Sequence, residues 1–115
     1  MANPLKGEIL VPLDKEYKCR LTIDSCIKIE NELGKGILEL TTEIANARIT
    51  ISTLVTVLKY ALRGGGNDFQ DKDIHKIIQN VGIVVASTEV AKLLAATLSD
   101  PDSEEDNEGK PQATE

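Results

Sequence analysis

The sequence predicts an α+β fold in which an N-terminal antiparallel β-hairpin packs on about five short α-helices, followed by a disordered acidic tail. Three observations carry this. Residues 5–23 alternate apolar and polar side chains with period two. Residues 24–98 carry apolar stripes at helical spacing, punctuated by glycines. From Ser99 onward Val, Ile, Leu, Met and aromatic residues are absent. A chain of 115 residues has room for one folded unit, assigned here to residues 1–98, with 99–115 as the tail.

The first run sets Leu5, Gly7, Ile9, Val11 and Leu13 against Lys6, Glu8, Leu10 and Pro12. After Asp14, Lys15 and Glu16, alternation resumes with Tyr17, Cys19, Leu21 and Ile23 on one face. Two such runs joined by a short polar link make a hairpin. Pro12 has no amide hydrogen to give a ladder, so its place is an open edge or a strand end. An isolated ribbon is marginal in water, so helices must cover its apolar face.

Thr22 or Asp24 can cap a first helix of about ten residues, with Cys26, Ile29 and Leu33 on one stripe and Gly34 as its left-handed stop. A second helix carries Ile37, Leu40 and Ile44 and fades near Asn46. The stretch from Thr50 to Arg63 is rich in β-branched residues that favour strands locally. Its length, and the stripe Ile51, Leu54, Val55, Leu58, Ala61 and Leu62, make it a helix, ended by Gly64, Gly65 and Gly66. A fourth helix, capped from within Asn67 to Asp71, sets Ile74, Ile77, Ile78 and Val81 inward up to Gly82. A fifth runs from Ile83 to Leu98. Pro101 and the neighbouring acids stop it, since proline lacks the amide donor and negative charge is unfavourable at a helix C-terminus.

The net charge of −6 resides in the tail. Residues 1–98 hold twelve acids and twelve bases, with no basic cluster to displace counterions from a phosphate backbone, so a nucleic-acid partner is not expected. The two cysteines, Cys19 and Cys26, read as free packed thiols of a reducing compartment. No apolar run approaches the ~20 residues that span a bilayer, so no membrane partner is expected.

Residues that carry chemistry are sparse. His75 is the single histidine, on the polar face of a helix, without a nucleophile beside it. Cys19, Cys26 and His75 lack the paired short spacings of zinc sites. Gly64 to Gly66 are followed by Asn67 and Asp68, not by the Lys and Ser or Thr of a phosphate loop, and read as a flexible connection. Glu30, Glu32, Glu39 and Glu43 read as solvated helix faces. No catalytic residue, metal ligand or cofactor is expected.

What remains is apolar surface. Ile51 to Leu62, and Ile83 to Ala86 with Val90 to Leu98, are apolar round more than one face. Such helices are either central in a core or pressed against another molecule.

The order of features resembles a known family. Ala2, Asn3, Lys6, Gly7 and Glu8, a hairpin with Tyr17 and Leu21, then Glu30, Leu33, Gly34, Lys35, Gly36 and Leu40 are similar to the tail assembly chaperones of siphophage-like particles and gene transfer agents. Leu58, Tyr60, Ala61, Leu62 and Arg63 resemble the end of that family's third helix, and Ile74, Ile78, Gly82, Val90 and Leu94 its closing helices. The resemblance covers roughly residues 2–98. The chain departs from it in lacking a Trp near Tyr60, in its three consecutive glycines and in its long acidic ending.

The resemblance implies a non-enzymatic protein of the bacterial host cytoplasm that binds the tape measure protein, keeps that long helical chain soluble and helps recruit tail tube protein. Ile51, Leu54, Leu58 and Leu62, with Leu94 and Leu98, are then the expected partner-binding residues, a homo-oligomer is possible, and the tail keeps the loaded complex in solution by repulsion. The rival expectations are a structural tail tube or adaptor protein of the virion and a small DNA-binding regulator. The latter would need basic residues on a recognition helix where only Lys72 and Lys76 stand, amid Asp71 and Asp73.

Overall fold

The computed structural model describes residues 7–98. The expected acidic tail and the first residues of the first strand run lie outside them. The described chain runs β1 (Ile9–Pro12), β2 (Glu16–Cys19), α1 (Ile23–Leu33), α2 (Ile37–Ala45), α3 (Ile51–Gly64), α4 (Asp71–Val81) and α5 (Ile83–Leu98). The hairpin and five helices stand where the hydrophobic pattern put them.

β1 and β2 pair antiparallel, with Ile9 opposite Cys19 and Val11 opposite Tyr17. Val11, Tyr17 and Cys19 face inward and are buried, while Pro12 closes β1, where its missing amide costs no ladder bond. Both strands are shorter than the alternating runs. After Cys19 the chain leaves β1 for α3: the Arg20 amide donates to the Ala61 carbonyl at 2.9 Å, and Asn67 Nδ2 donates to the Lys18 carbonyl at 2.8 Å. The end of α3 thereby satisfies the outer edge of β2.

That contact explains the glycine run, which is not the flexible connection expected from its composition. A Cβ at Gly64 would fall on the Arg20 carbonyl oxygen, and one at Gly65 on the Lys18 carbonyl oxygen. Only a residue without a side chain lets the helix end approach the strand backbone so closely.

Thr22, not Asp24, caps α1, its Oγ1 accepting the Ser25 amide at 3.0 Å, and Gly34 ends the helix at φ 71°. Thr50 caps α3 in the same way through the Thr53 amide. At the start of α4 the Asp73 amide donates to the Gln70 carbonyl at 2.9 Å while the Asp73 carboxylate accepts the Gln70 amide at 2.8 Å. Gly82 adopts φ 94° and the helix axis turns by 112° into α5.

α3 is the centre of the molecule, packed against α1, α4, α5 and β2, and every residue from Thr53 to Lys59 is buried. Full burial of Leu54, Leu58 and Leu62 contributes about 1.5–3 kcal/mol each. Tyr17 meets Phe69 edge-on with ring centroids 5.8 Å apart, which fastens the α3–α4 loop over the hairpin.

Several carboxylates expected to be merely solvated hold elements together. Glu30 accepts the Ile37 amide at 2.8 Å and so caps α2, whose own N-cap is a glycine, and Glu43 pairs with Lys35 at 2.9 Å. Asp14, in the hairpin turn, accepts Tyr17 Oη at 2.8 Å and Asn80 Nδ2 at 2.9 Å. This ties the hairpin to α4. The Asn80 hydrogen bond, with that of Tyr17, holds the Asp14 carboxyl below its usual 3.8.

Candidate partner-binding site

The structure divides the six residues expected to bind a partner. Leu54, Leu58, Leu62 and Leu94 are fully buried within the monomer. They offer no surface in this conformation, because their side of α3 is covered by α1, α4, α5 and β2 and Leu94 faces inward from α5. Leu98, at the end of α5, is half-buried, and Ile51, at the first turn of α3, is 57% exposed.

The apolar surface lies beside Ile51. α5 begins with Ile83, Val84 and Val85, exposed at 49%, 78% and 46%. The stripe that buries α5 starts only at Ala86 and continues through Val90, Leu93 and Leu94. The expected partner-binding set leaves these three out; three consecutive apolar residues on a helix sweep about 200°, so the core cannot take all of them, and that is the sequence signal that could have found them. Ile23, Ile27, Leu38 and Leu10 are further exposed apolar residues, on α1, α2 and β1.

Between the start of α3 and the α4–α5 bend lies an open apolar cavity of about 420 Å³, walled by Ile51, Val55, Ile78 and Ile83, with His75 and Gln79 at its rim. A second cavity of about 350 Å³ adjoins it and shares Ile51, Val55 and His75. Its far wall is polar and carries Glu32, Thr56 and Asp71. The two form one groove along a single flank of α4, from Gly82 back to Asp71.

The polar end is organised by Lys59, whose side chain is only 9% exposed. Its ammonium pairs with Asp71 at 3.0 Å and Glu32 at 3.4 Å, and lies 5.0 Å from the Tyr60 ring centroid. Burial opposes the charge on Lys59, but the Asp71 hydrogen bond and the Glu32 carboxylate outweigh it and raise its pKa. The same Lys59 bond lowers the Asp71 pKa. Glu32 also accepts Tyr60 Oη at 2.8 Å, which raises the phenol pKa.

Nothing here builds a catalytic constellation. Among the described residues no group of three or more His, Cys, Asp or Glu side chains is placed to hold a metal ion. Burial pushes the Cys19 thiol up to about 12, the opposite of an activated nucleophile. Among the described residues no single helix is long and apolar enough to cross a membrane. What the groove offers chemically is an apolar trough with a carboxylate-bearing end.

Residues 7–100 match the family model described as phage tail tube protein, GTA-gp10. Neither a curated protein nor a solved structure matches the chain. The family match takes in the hairpin and all five helices, Gly7 and the Leu33–Gly36 break included. The chain therefore belongs to the GTA-gp10 family of phage tail assembly chaperones, a non-enzymatic family.

Proposed function

We propose that the protein is a tail assembly chaperone that binds the tape measure protein in the host cytoplasm, shields its apolar helical faces, and yields it as tail tube protein assembles around it. The observation that carries this reading is the exposed apolar groove of Ile51 and Ile83, extended by Val84 and Val85 on a helix that has ample buried side chains of its own. A folded domain gains no stability from leaving such residues in water, and a contiguous patch of this kind marks a surface for another polypeptide. In this reading Ile51 makes the contact directly. Leu54, Leu58, Leu62 and Leu94 support it from beneath, and Leu98 lies on its own at the far end of α5.

The test is co-expression of the full chain with the tape measure protein, scored by client solubility and co-purification. Ile51→Asp and Ile83→Asp, both at exposed positions, should abolish capture without unfolding the domain. Leu58→Asp is uninformative, because a carboxylate at that fully buried position unfolds it. Undiminished capture by both surface variants would overturn the site, and failure of the native chain to capture would overturn the function.

A second reading, a subunit of the tail tube itself, is favoured by the wording of the family description. Tube subunits rely on extended β-structure to close rings, whereas the described residues hold one two-stranded sheet with four residues per strand. Mass spectrometry of purified particles separates the two: abundant retention supports the tube subunit, and absence supports the chaperone.

A further inference from the structure

We infer that the groove selects one class of segment: an amphipathic helix bearing Lys or Arg about two turns beyond its apolar residues, the apolar part seated at the Gly82 end and the base over Glu32 and Asp71. The inference deepens the chaperone reading and rests on it for the claim that the client is helical.

The shape argues for a helix. The apolar cavity is walled by side chains of α3, α4 and the start of α5, and among its lining residues only His75 and Gln79 bring polar side chains. An extended peptide there would leave its amides and carbonyls facing hydrocarbon without partners, whereas a helix satisfies them internally. The groove is lined from α4 by Asp71, His75, Ile78 and Gln79 and just beyond it by Gly82; from His75 to Ile78 or Gln79, and on to Gly82, the steps are three or four residues, which keeps them on one flank. From Asp71 to Gly82 this is about 16 Å, or three turns of a docked helix.

The charge argues for a base at the far end. Two carboxylates meet there, Glu32 and Asp71, with side chains 40% and 59% exposed, and one ammonium, Lys59, lies beneath them. Among these three paired groups the carboxylates outnumber the ammonium by one, on the side facing the groove. Arg63 and His75 also act on Asp71 more weakly from a distance, but the Arg63 guanidinium is bonded to the Phe69 carbonyl at 3.0 Å and to Gln70 Oε1 at 3.4 Å. Lys72 and Lys76 line neither cavity. A guest cation completes the pairing, and a guest carboxylate meets two of its own kind.

The experiment uses the full chain and two labelled synthetic helical peptides, each with three leucines on one face. One carries a lysine about two turns further along that face, and the other a glutamate in its place. Fluorescence anisotropy should show the lysine peptide binding about five-fold more tightly at low salt. Asp71→Asn should erase the difference while leucine-dependent binding persists, and Asp71→Lys should reverse it. Ile83→Asp should weaken both peptides at least about ten-fold. Far-UV circular dichroism confirms the fold of each variant.

Equal affinity for the two peptides, or a preference that survives Asp71→Asn, overturns the inference while leaving capture of apolar helices intact. A preference that follows the acids as stated, in a chain that fails to capture the tape measure protein, sustains the groove's selectivity and sinks the chaperone reading instead.

Discussion

Gly65→Ala is the sharpest test of how the hairpin is held. In an ordinary helix end the substitution stabilises, since alanine restricts the unfolded chain. Here the added carbon would land on the Lys18 carbonyl oxygen and 2.9 Å from the Cys19 amide nitrogen, both backbone atoms that cannot swing aside. Relieving the overlap moves the end of α3 away from β2 by roughly 1 Å. Two hydrogen bonds then stretch beyond useful length: the Arg20 amide to Ala61, and Asn67 Nδ2 to Lys18. At about 1 kcal/mol each, with about 1 kcal/mol more for the disturbed packing, the loss is about 3 kcal/mol. That corresponds to a fall in Tm of about 15 °C for a domain of this size. Gly36→Ala is the control. Its backbone sits at φ −70°, and the nearest atom to an added carbon is Glu30 Oε2 at 3.8 Å, so no clash arises, and with alanine the poorer N-cap residue the change should cost less than about 1 kcal/mol. Urea melts followed by far-UV circular dichroism measure both. If Gly65→Ala melts with the native protein, the close approach of helix and strand is not what fixes the hairpin.

Three further outcomes follow from the same contacts. The Asp14 carboxyl is held below 3.8 by Asn80 and Tyr17, so its stabilisation is complete above the unfolded value and disappears as pH falls through the lower folded one; Asn80→Ala should lower Tm in the neutral range and flatten its fall in acid, so that the two proteins converge at low pH, and a constant offset at every pH would refute it. Burial of Cys19, with its thiol raised to about 12, predicts that a thiol reagent at pH 8 labels half-buried Cys26 first and reaches Cys19 only when urea is added, whereas equal native rates would contradict the packing. Lys59→Met keeps the apolar stem and removes a buried charge that costs nearly as much to desolvate as its pairs return, so stability should change by less than about 1 kcal/mol, while Lys59→Ala, which loses the stem too, should cost about 2 kcal/mol in the same melts.

Much of the fold was legible because local signals coincide with tertiary ones. Thr22 and Thr50 lie just before apolar stripes and act as caps, while Gly34 and Gly82 adopt the positive φ that ends or bends a helix. The β-branched run in α3 favoured a strand locally, and its length and stripe overrode that preference. The purpose of Gly64 and Gly65 was not legible, because a glycine needed for flexibility and one needed for close approach look alike until the neighbouring backbone is known. Glu30 and Glu32 were misread for a similar reason: Glu32 serves Tyr60 and Lys59, which lie more than two dozen residues away in sequence. At the candidate site, the stripe of α3 told that the helix has no polar face, which suits the centre of a core as well as an interface. The structure resolves this by enclosing Leu54, Leu58 and Leu62 and leaving only Ile51 in the open.

A chaperone must also let go, and the dimensions of the groove bear on how. A trough about 16 Å long seats three or four side chains of a client helix, with a gross gain of roughly 5–12 kcal/mol. Association itself costs at least about 4 kcal/mol in lost freedom of motion. The remainder corresponds to a Kd no tighter than about 1 μM for one copy on one segment. Sustained coverage of a long client would then come from many copies acting side by side, with self-association raising their local concentration. Each copy could still be displaced singly as tube subunits advance. The expected measurement is weak, rapidly reversible titration of a single-segment peptide, and markedly tighter retention of a client that repeats the segment. Nanomolar binding of one peptide by one copy would break this account, since nothing in the exposed groove is large enough to supply that much energy.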